Sequence, residues 1–463
     1  MYISCRYSEL CSIININIFN GNMNKKNEKE RLAKEIVDTL CKKGYRALYA
    51  GGYVRDMILG TAYSGDIDIA TNARPEEISR VFPDVARVGE HFGVMIVRKK
   101  NIAFEVATFR SDIGTRDGRH PEKIEFVDEQ TDAMRRDFTI NGLFFDPEKR
   151  ELLDYVSGKA DLEKGIIRAI GNPAERFCED YLRLLRAIRF AARFSYTIEK
   201  KTWNAMCASR NGIRSIAPER IFQELDKLLR GPKPDSAITL LHESGLLALV
   251  LPEVEALRGV PQPEEFHPEG DVFAHTVKAL SLLENPGQCA AWSVLLHDIG
   301  KPGTLQHLDR IRFNNHHRLG ADMARRALKR LKASGSLIDC VCACIDNHMN
   351  FMNVQKMRLS TLKKFLARPT FDDEMLLHKA DCIASHGDLE NYHFLQEKKK
   401  VFTAEMIKPE PLLRGADLIE AGLTPGPVFG KILKEAYDLQ LEEYITDREQ
   451  ALKWLREKAE KSK

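Results

Sequence analysis

A glycine pair followed at a fixed distance by two aspartates constrains this chain more than any other stretch of it. Gly51-Gly52 precedes Asp66-Ile67-Asp68 with thirteen residues between the two motifs. Successive strand residues point to opposite faces, so a strand here places both aspartates on one face and Ile67 toward a core. Neighbouring carboxylates repel each other unless a cation lies between them, and Mg²⁺ takes carboxylate oxygens together with substrate phosphates. Asp66 and Asp68 are therefore predicted catalytic Mg²⁺ ligands.

The glycine pair supplies the second half of this prediction. Glycine lets backbone N–H groups approach a triphosphate that a side chain would keep away. An Asp-x-Asp tripeptide alone is common at solvated strand ends, and it is the combination with Gly51 and Gly52 that favours nucleotidyl transfer. In that reaction a 3′-hydroxyl attacks an α-phosphate in line with the leaving pyrophosphate, and carboxylate-bound divalent ions neutralise the charge.

Further motifs follow the aspartates in a fixed order. With them the chain resembles the class II tRNA nucleotidyltransferases (CCA-adding enzymes) and the bacterial poly(A) polymerases, densely from Leu32 to Leu229 and more loosely beyond. The motifs are Gly51-Gly52-Tyr53-Val54-Arg55-Asp56, Asp66-Ile67-Asp68-Ile69-Ala70-Thr71, Glu105-Val106-Ala107-Thr108-Phe109-Arg110, Arg135-Arg136-Asp137-Phe138-Thr139-Ile140-Asn141 and Glu179-Asp180-Tyr181-Leu182-Arg183. Gly142 departs from the Ala that the family usually carries after the Asn.

Five polar residues of these motifs are further candidates for the site. Glu105, on a later strand-like run, either completes the metal platform or is a surface acid of an edge strand. Arg55 follows the glycine turn at a helix start, where it is placed to meet phosphate. Arg136 is expected to bind phosphate oxygens through its fork of donors, and Asp137 or Asn141 to contact a ribose 2′-hydroxyl. Such a contact favours ribonucleotides.

The last motif is predicted to select the base. Asp180 and Arg183 are expected on one helix from Glu179 to Phe194, where i and i+3 residues share a face. A carboxylate accepts from an exocyclic amine and a guanidinium donates to a ring nitrogen, and cytosine and adenine both present that pair. The resemblance implies a protein template for CTP and ATP; without it, a helix-stabilising ion pair is the simpler interpretation. Arg186 and two further arginines at helical spacing predict a basic stripe for an RNA end.

A second set of histidines and aspartates follows in a helical region. Neutral imidazoles mixed with carboxylates suit Mn²⁺, Ni²⁺, Zn²⁺ or Fe²⁺ better than Mg²⁺ alone. Around Leu295-Leu296-His297-Asp298-Ile299-Gly300-Lys301 the chain resembles the HD superfamily of metal-dependent phosphohydrolases, which implies a second divalent-metal site. The predicted ligands are His275, His297, Asp298, His316, His348 and Asp381.

The order of strand-like and helical runs predicts an α+β protein of several domains, since 463 residues exceed one ordinary core. Residues 1–23 are expected to be a non-native or disordered extension before a start at Met23. The expected parts are a small mixed α/β, polymerase beta-like nucleotidyltransferase head at 24–162, an all-α RNA-binding neck at 163–234, a helical HD domain at 235–400 and a helical tail at 401–463.

Composition excludes several other classes of protein. An apolar fraction of 43%, with no apolar run long enough to span a bilayer, predicts a soluble cytoplasmic protein without a membrane partner. A net charge of +3 is too small to indicate nucleic acid by itself, so an RNA footprint must be local. Ten cysteines without any C-x-x-C spacing argue against both a zinc ribbon and a disulfide framework.

The expected partners are thus the 3′ end of tRNA, CTP and ATP, with no obligate protein partner. An A-only enzyme and a poly(A) polymerase remain open within the class. A CC-only enzyme is disfavoured, because by resemblance it lacks the segment that Ser111 to Ala133 supplies here, with Asp117-Gly118-Arg119. A rival from another class is an HD phosphohydrolase whose head only binds RNA, and the intact Asp66 and Asp68 pair argues against it.

Overall fold

A computed structural model of the chain describes residues 24–60, 66–89, 93–115, 121–263, 270–307 and 311–460. The extension at 1–23 and Asp117-Gly118-Arg119 lie outside these residues. Two compact units are present: the first comprises the described residues up to Leu228 together with Leu240–Val250, and the second comprises Leu229–Thr239 and the described residues from Leu251 onward. A mixed sheet near the N-terminus followed by helices confirms the α+β prediction.

The first unit is built on a mixed sheet. The strands of the unit are β1 (Ala47–Ala50), β2 (Asp68–Thr71), β3 (Val85–Gly89), β4 (Val94–Lys99), β5 (Ile102–Thr108), β6 (Arg110–Thr115), β7 (Pro121–Phe126), β8 (Leu143–Asp146), β9 (Glu151–Asp154), β10 (Ile166–Ile167) and β11 (Thr197–Ile198). The main sheet has the order β3-β4-β5-β2-β1-β8-β9. Strands β6 and β7 form a separate antiparallel pair, most of which lies in the segment from Ser111 to Ala133. Strand β2 therefore lies at the centre of the sheet, antiparallel to β1 and parallel to β5.

Helices surround this sheet and continue the unit. Leu32, Ile36 and Leu40 are fully buried at helical spacing in the first of them, which explains its amphipathic sequence. The helices are α1 (Asn24–Lys42), α2 (Gly52–Ile58), α3 (Pro75–Val81), α4 (Glu129–Met134), α5 (Gly158–Lys164), α6 (Pro173–Glu179), α7 (Leu182–Phe194), α8 (Lys200–Ser209), α9 (Pro218–Leu229), α10 (Pro234–Glu243), whose residues up to Thr239 are assigned to the second unit, and α11 (Leu247–Val250), with 3₁₀ turns at Thr139–Asn141 and Arg210–Ser215.

The single helix predicted from Glu179 to Phe194 is wrong. Helix α6 ends at Glu179, and α7 begins only at Leu182. Asp180 between them is extended, with φ −154° and ψ 103°. Its carboxylate accepts from the Leu182 N–H at 3.0 Å and so satisfies one of the amides that a new helix start leaves without a partner. The break separates Asp180 from Arg183 and changes what each of them contacts.

Within its described residues, the second unit is helical apart from one short pair of antiparallel strands. Its elements are α12 (Pro252–Glu255), α13 (Val272–Ser281), α14 (Gln288–Leu296), α15 (Lys301–Thr304), β12 (Leu305–His307), β13 (Ile311–Phe313), α16 (His316–Arg330), α17 (Gly335–Asn347), a 3₁₀ stretch at His348–Lys356, α18 (Leu359–Leu366), α19 (Phe371–Ala384), α20 (Glu390–Val401), α21 (Ala404–Ile407), α22 (Gly415–Glu420), α23 (Pro427–Leu441) and α24 (Arg448–Glu460). None of the described helices is long and apolar enough to cross a membrane.

One disulfide corrects the expectation drawn from cysteine spacing. Cys289 of α14 and Cys340 of α17 are bonded across 51 residues of sequence, with their Cα atoms 6.1 Å apart. The two helices pack side by side, so cysteines far apart in the chain come within bonding distance. Spacing rules such as C-x-x-C detect only local pairs, so the argument against a disulfide framework could not anticipate this single bond.

Candidate active site

One cavity of the first unit, with a volume of about 620 Å³, brings together most of the predicted residues. Its volume lies in the usual range of a small-molecule site. Predicted residues in its wall are Gly51, Gly52, Arg55, Asp68, Glu105, Arg136, Asp137, Asn141, Asp180, Arg183 and Arg186. Of the predicted head residues, only Asp66 is not part of this wall as far as the structure is described.

Two acids lie side by side on neighbouring strands of the cavity. Ile69 is opposite Val106 in the parallel pair of β2 and β5, so Asp68 and Glu105 each precede that pair by one residue. Burial, together with the Glu105 carboxylate, raises the pKa of Asp68 to about 6. A buried carboxylate with a second acid beside it is a setting in which a divalent cation binds, because the cation offsets the negative charge. The residues present therefore fit a metal ion at Asp68 and Glu105.

Asp66 does not lie on the strand, although the sequence predicted both aspartates on one strand face. Strand β2 begins at Asp68, and Asp66 lies before it with 71% of its side chain exposed. Its carboxylate accepts from Lys29 Nζ at 2.9 Å. The negative charge of Asp66 still contributes to the raised pKa of Asp68, after burial and Glu105. Its place as a metal ligand stays a prediction.

The raised pKa predicts how the metal-free protein responds to pH. The folded state binds a proton at Asp68 up to about pH 6, whereas the unfolded chain releases it near pH 4, so the free energy of unfolding falls as pH rises through this window. The full loss is about 3 kcal/mol, from roughly two pKa units at 1.36 kcal/mol each. In EDTA at pH 7.5 we expect Asp68→Asn to melt at a higher temperature than wild type.

Melting curves at pH 4 and pH 7.5 measure this effect. At pH 4 the advantage of Asp68→Asn should largely disappear, and Mg²⁺ at pH 7.5 should raise the melting temperature of wild type only. Asp84→Asn, at an aspartate with a mostly exposed side chain in the same unit, is the matched control. Equal melting temperatures of wild type and Asp68→Asn at both pH values would contradict the prediction.

Gly51 forms a tight turn between a cationic and an anionic side chain. Its φ of 65° lies in the left-handed region that favours glycine. A Cβ atom there would be 3.0 Å from Arg136 Nη1 and 3.6 Å from Asp68 Oδ2. The Gly51 N–H donates to the Leu143 carbonyl, so this amide holds the turn in place. The left-handed backbone and the close approach of Arg136 therefore favour glycine at this turn, and Asp68 lies at ordinary contact distance from it.

A chain of buried polar contacts links the next predicted residues. Arg55 donates to Asn141 Oδ1 at 2.6 Å and to its neighbour Asp56 at 2.7 Å. Asn141 in turn donates to Asp137 Oδ1 at 3.0 Å, and Arg186 donates to Asp137 Oδ2 at 2.6 Å. Burial alone raises the pKa of Asp137, yet Arg186 and Asn141 outweigh it and lower that pKa to about 2. Asp137 is therefore an ionised acceptor at neutral pH.

Asp180 and Arg183 both face the cavity but have separate partners. Arg183 contacts Glu179 at 2.5 Å and donates to the carbonyl of Arg176 at 2.7 Å. Asp180 instead pairs with Arg220 of α9 at 2.7 Å. The predicted i, i+3 pair is thus replaced by two independent ion pairs, because the break after α6 turns Asp180 toward α9.

Sequence reasoning missed residues that complete the cavity wall. Asp56, Phe190 and Arg220 lie in it; Asp56 ends the first motif, and no motif points to Phe190 or Arg220. The predicted basic stripe along α7 is also not an open one. Its three arginines form ion pairs with acids: Arg186 with Asp137, Arg189 with Glu224 and Arg193 with Asp56.

The six ligands predicted in the second unit converge on one buried cluster. His275 Nε2 lies 3.1 Å from Asp381 Oδ1, and His297 Nε2 lies 3.1 Å from Asp298 Oδ2. Asp298 belongs to two groups of potential metal ligands, which are His275, His297 and Asp298 on one side and Asp298, His316 and His348 on the other. Lys301 Nζ also contacts Asp298 Oδ2, at 2.7 Å. Asp298 thus lies at the centre of the cluster.

The hydrogen bonds of three histidines fix which ring nitrogen faces this centre. His297, His316 and His348 each place Nδ1 at 2.6–2.9 Å from a backbone carbonyl, which only accepts, so Nδ1 carries the proton. Their Nε2 lone pairs therefore point inward, and two of them face each other at 3.1 Å. Burial lowers the pKa of His348 to about 3 and also lowers that of His316. Neutral imidazoles beside carboxylates fit a transition-metal ion.

Comparison with protein families divides the chain into three matching regions. Residues 47–168 match the poly A polymerase head domain, and residues 195–257 match a probable RNA and SrmB-binding site of polymerase A. Residues 272–386 match the HD domain. The first region contains the acidic pair of the cavity, and the third contains all six residues of the buried cluster.

Individual proteins are similar either over nearly the whole chain or over about half of it. The CCA-adding enzyme of Lactiplantibacillus plantarum is 30% identical over 433 residues, which cover 91% of this chain and 94% of that relative. That of Lactococcus lactis subsp. lactis is 42% identical over 217 residues, 46% of this chain and 54% of the relative. The crystal structure of the Bacillus stearothermophilus CCA-adding enzyme in complex with CTP matches with a TM-score of 0.74 at 25% identity, covering 94% of this chain and 98% of that one.

Proposed function

Since the chain belongs to the family of CCA-adding enzymes, we propose that it adds CMP and AMP, from CTP and ATP, to the 3′ end of tRNA without a nucleic-acid template. By that membership it is a nucleotidyltransferase. One observation carries the proposal: a single cavity is lined by the acidic pair Asp68 and Glu105 and by the base-selecting residues Asp180 and Arg183. Reaction and base selection then occur in one place, as addition without a template requires.

The acidic side of the cavity is the proposed reaction centre. We expect Asp68 and Glu105, with Asp66, to hold Mg²⁺ there. When bound, divalent ions neutralise the triphosphate and favour the ionised 3′-hydroxyl. Gly51 leaves the space beside Asp68 open, and Arg136 lies next to it with a guanidinium suited to phosphate oxygens.

The polar chain behind this centre is the proposed ribose site. Asp137 is held ionised by Arg186 and oriented by Asn141, which Arg55 fixes in turn. An oriented carboxylate accepts readily from a 2′-hydroxyl, which deoxyribonucleotides lack. The buried position of Arg55 favours a role in holding Asn141 over direct contact with phosphate.

The direct assay uses tRNA ending at the discriminator base, at C or at CC, with labelled CTP or ATP. We expect two CMP and one AMP on the first of these substrates, with addition stopping there. An A-only enzyme would extend only the CC form, and a poly(A) polymerase would continue past one AMP. Absence of incorporation on all three substrates would contradict the proposal.

Replacement of Asp180 or Arg183 by alanine should damage nucleotide choice more than turnover. Without Asp180 the exocyclic amine has no acceptor, and without Arg183 the ring nitrogen has no donor. We expect discrimination against UTP and GTP to fall by about tenfold to a hundredfold, the value of one charge-assisted hydrogen bond. The measurement is kcat/KM for each nucleotide. Unchanged ratios in both variants would leave the two residues with structural roles only.

A second candidate function is metal-dependent hydrolysis of a phosphate ester by the second unit. It is favoured by the inward Nε2 atoms of three histidines around Asp298. We propose that His275, His297, Asp298, His316, His348 and Asp381 hold Mn²⁺, Ni²⁺ or another divalent ion. Such an ion lowers the pKa of bound water. The proposed substrates are 2′,3′-cyclic phosphates and 2′-phosphates on RNA ends.

A further inference from the structure

Arg220 reaches the cavity from a helix outside the base-selecting motif. It lies in the first turn of α9, forty residues after Asp180. Its Nη2 donates to Asp180 Oδ2 at 2.7 Å, and its Nη1 donates to Asp180 Oδ1 at 3.3 Å. Both side chains are largely buried, with 17% of Arg220 and 20% of Asp180 exposed. The guanidinium fork therefore matches both oxygens of the carboxylate.

Two contacts together fix how Asp180 is oriented. Oδ1 accepts from the Leu182 N–H at 3.0 Å, and the Arg220 fork donates to both Oδ1 and Oδ2. A carboxylate held in this way presents its remaining lone pairs in set directions. It attracts the exocyclic amine of cytosine or adenine and repels the carbonyl oxygen that uracil and guanine carry at the same ring position.

We infer that Arg220 is a positioning residue for base selection, which orients the Asp180 carboxylate toward the exocyclic amine of CTP and ATP. The inference rests on the proposed function, in which Asp180 selects the base. Arg183 does not take this part, because its guanidinium contacts Glu179 and two backbone carbonyls and not Asp180. Loss of Arg220 should therefore weaken recognition of the amine, while the position of Arg183 should not change.

The test compares kcat/KM for CTP with that for UTP, and for ATP with that for GTP, on tRNA substrates. In Arg220→Ala we expect both ratios to fall by about tenfold to a hundredfold, the range of a charge-assisted hydrogen bond. Arg220→Lys keeps the charge without the planar fork and should be intermediate. Arg214→Ala, at an exposed arginine six residues earlier, is the matched control and should keep wild-type ratios.

A double-mutant cycle separates this role from a merely structural one. If Arg220 acts through Asp180, adding Arg220→Ala to Asp180→Ala should change the ratios by less than about twofold. Wild-type ratios in Arg220→Ala alongside reduced ratios in Asp180→Ala would overturn the inference and leave the proposed function standing. Wild-type ratios in Asp180→Ala itself would instead count against base selection by this motif.

Folding of the variants is checked by circular dichroism before the ratios are compared. If Arg220→Ala does not fold, the same ratios are measured in Arg220→Gln and Arg220→Lys, which keep most of the side-chain volume. Their ratios should fall below wild type, with Gln lower than Lys because it lacks the charge. Wild-type ratios in both would overturn the inference.

Discussion

Asp68→Ala is expected to lower incorporation of CMP and AMP by about a thousandfold or more, with tRNA affinity nearly unchanged. A carboxylate that holds a catalytic metal contributes several kcal/mol of charge stabilisation in the transition state, and each 1.36 kcal/mol is tenfold in rate. Asp68 has Glu105 as its close acidic neighbour, so its loss removes half of the pair that faces the cavity. The measurements are single-turnover incorporation and tRNA binding by gel shift.

Stability distinguishes this loss from unfolding. Because Asp68 carries a raised pKa, its ionised form destabilises the metal-free protein, so its replacement should not lower the melting temperature. Lost activity together with retained stability is the behaviour of a functional residue rather than a structural one. Asp84→Ala, at an exposed position of the same unit, should keep wild-type activity. Activity of Asp68→Ala within tenfold of wild type would remove it from the metal site.

Asp66 is a separate case that the same assay decides. Its side chain is mostly exposed and bonded to Lys29, so metal binding requires it to leave that contact. A loss in Asp66→Ala comparable to that in Asp68→Ala would place it among the ligands. Near wild-type activity would restrict the platform to Asp68 and Glu105.

The head was largely predictable because its motifs are local. A glycine turn, a strand with an acid at its start and a later strand with Glu105 each leave a short pattern. The sequence did not show that β2 and β5 are neighbours, since β3 and β4 come between them in the chain. The parallel register of β2 and β5 brings Asp68 beside Glu105. The strand order of a mixed sheet cannot be predicted from any single segment of the sequence.

The contacts of the base-selecting motif, in contrast, could not be predicted from the sequence. Helical periodicity continues through Glu179 to Phe194, yet the helix is interrupted at Asp180, which is extended and whose carboxylate accepts from the Leu182 N–H at the start of α7. An acid near a helix start competes for backbone amides in this way, and periodicity does not detect the competition. The partner Arg220 comes from another helix, so no spacing rule links it to Asp180. Tertiary contacts therefore decided what the motif pairs with.

The largest effect expected in the second unit is loss of bound metal in Asp298→Ala. Asp298 is shared by both groups of potential ligands, whereas His348 belongs to one of them. Mutation of a residue that only hydrogen-bonds to a metal ligand lowers metal affinity about ten- to a hundredfold. Loss of a ligand itself should cost more, so we expect at least about a hundredfold weaker binding of Mn²⁺ or Ni²⁺. His348→Ala should lose less metal than Asp298→Ala, because the group of His275, His297 and Asp298 remains.

Metal content by mass spectrometry and affinity by calorimetry measure this without reference to activity. Because Lys301 would lose its carboxylate partner in Asp298→Ala, Asp298→Asn serves as a second variant of nearly the same shape. His393→Ala, at an exposed histidine of the same unit, should bind metal as wild type does.

Hydrolysis and incorporation together decide what the bound metal does. Hydrolysis of 2′,3′-cyclic phosphate should disappear in both Asp298 variants, while CMP incorporation by the first unit should persist, because Asp68 and Glu105 are untouched. If wild type bound no divalent metal, the buried histidines would be left with a structural role. If metal bound but no phosphate ester were hydrolysed, the metal site would be confirmed and the proposed hydrolysis would be contradicted.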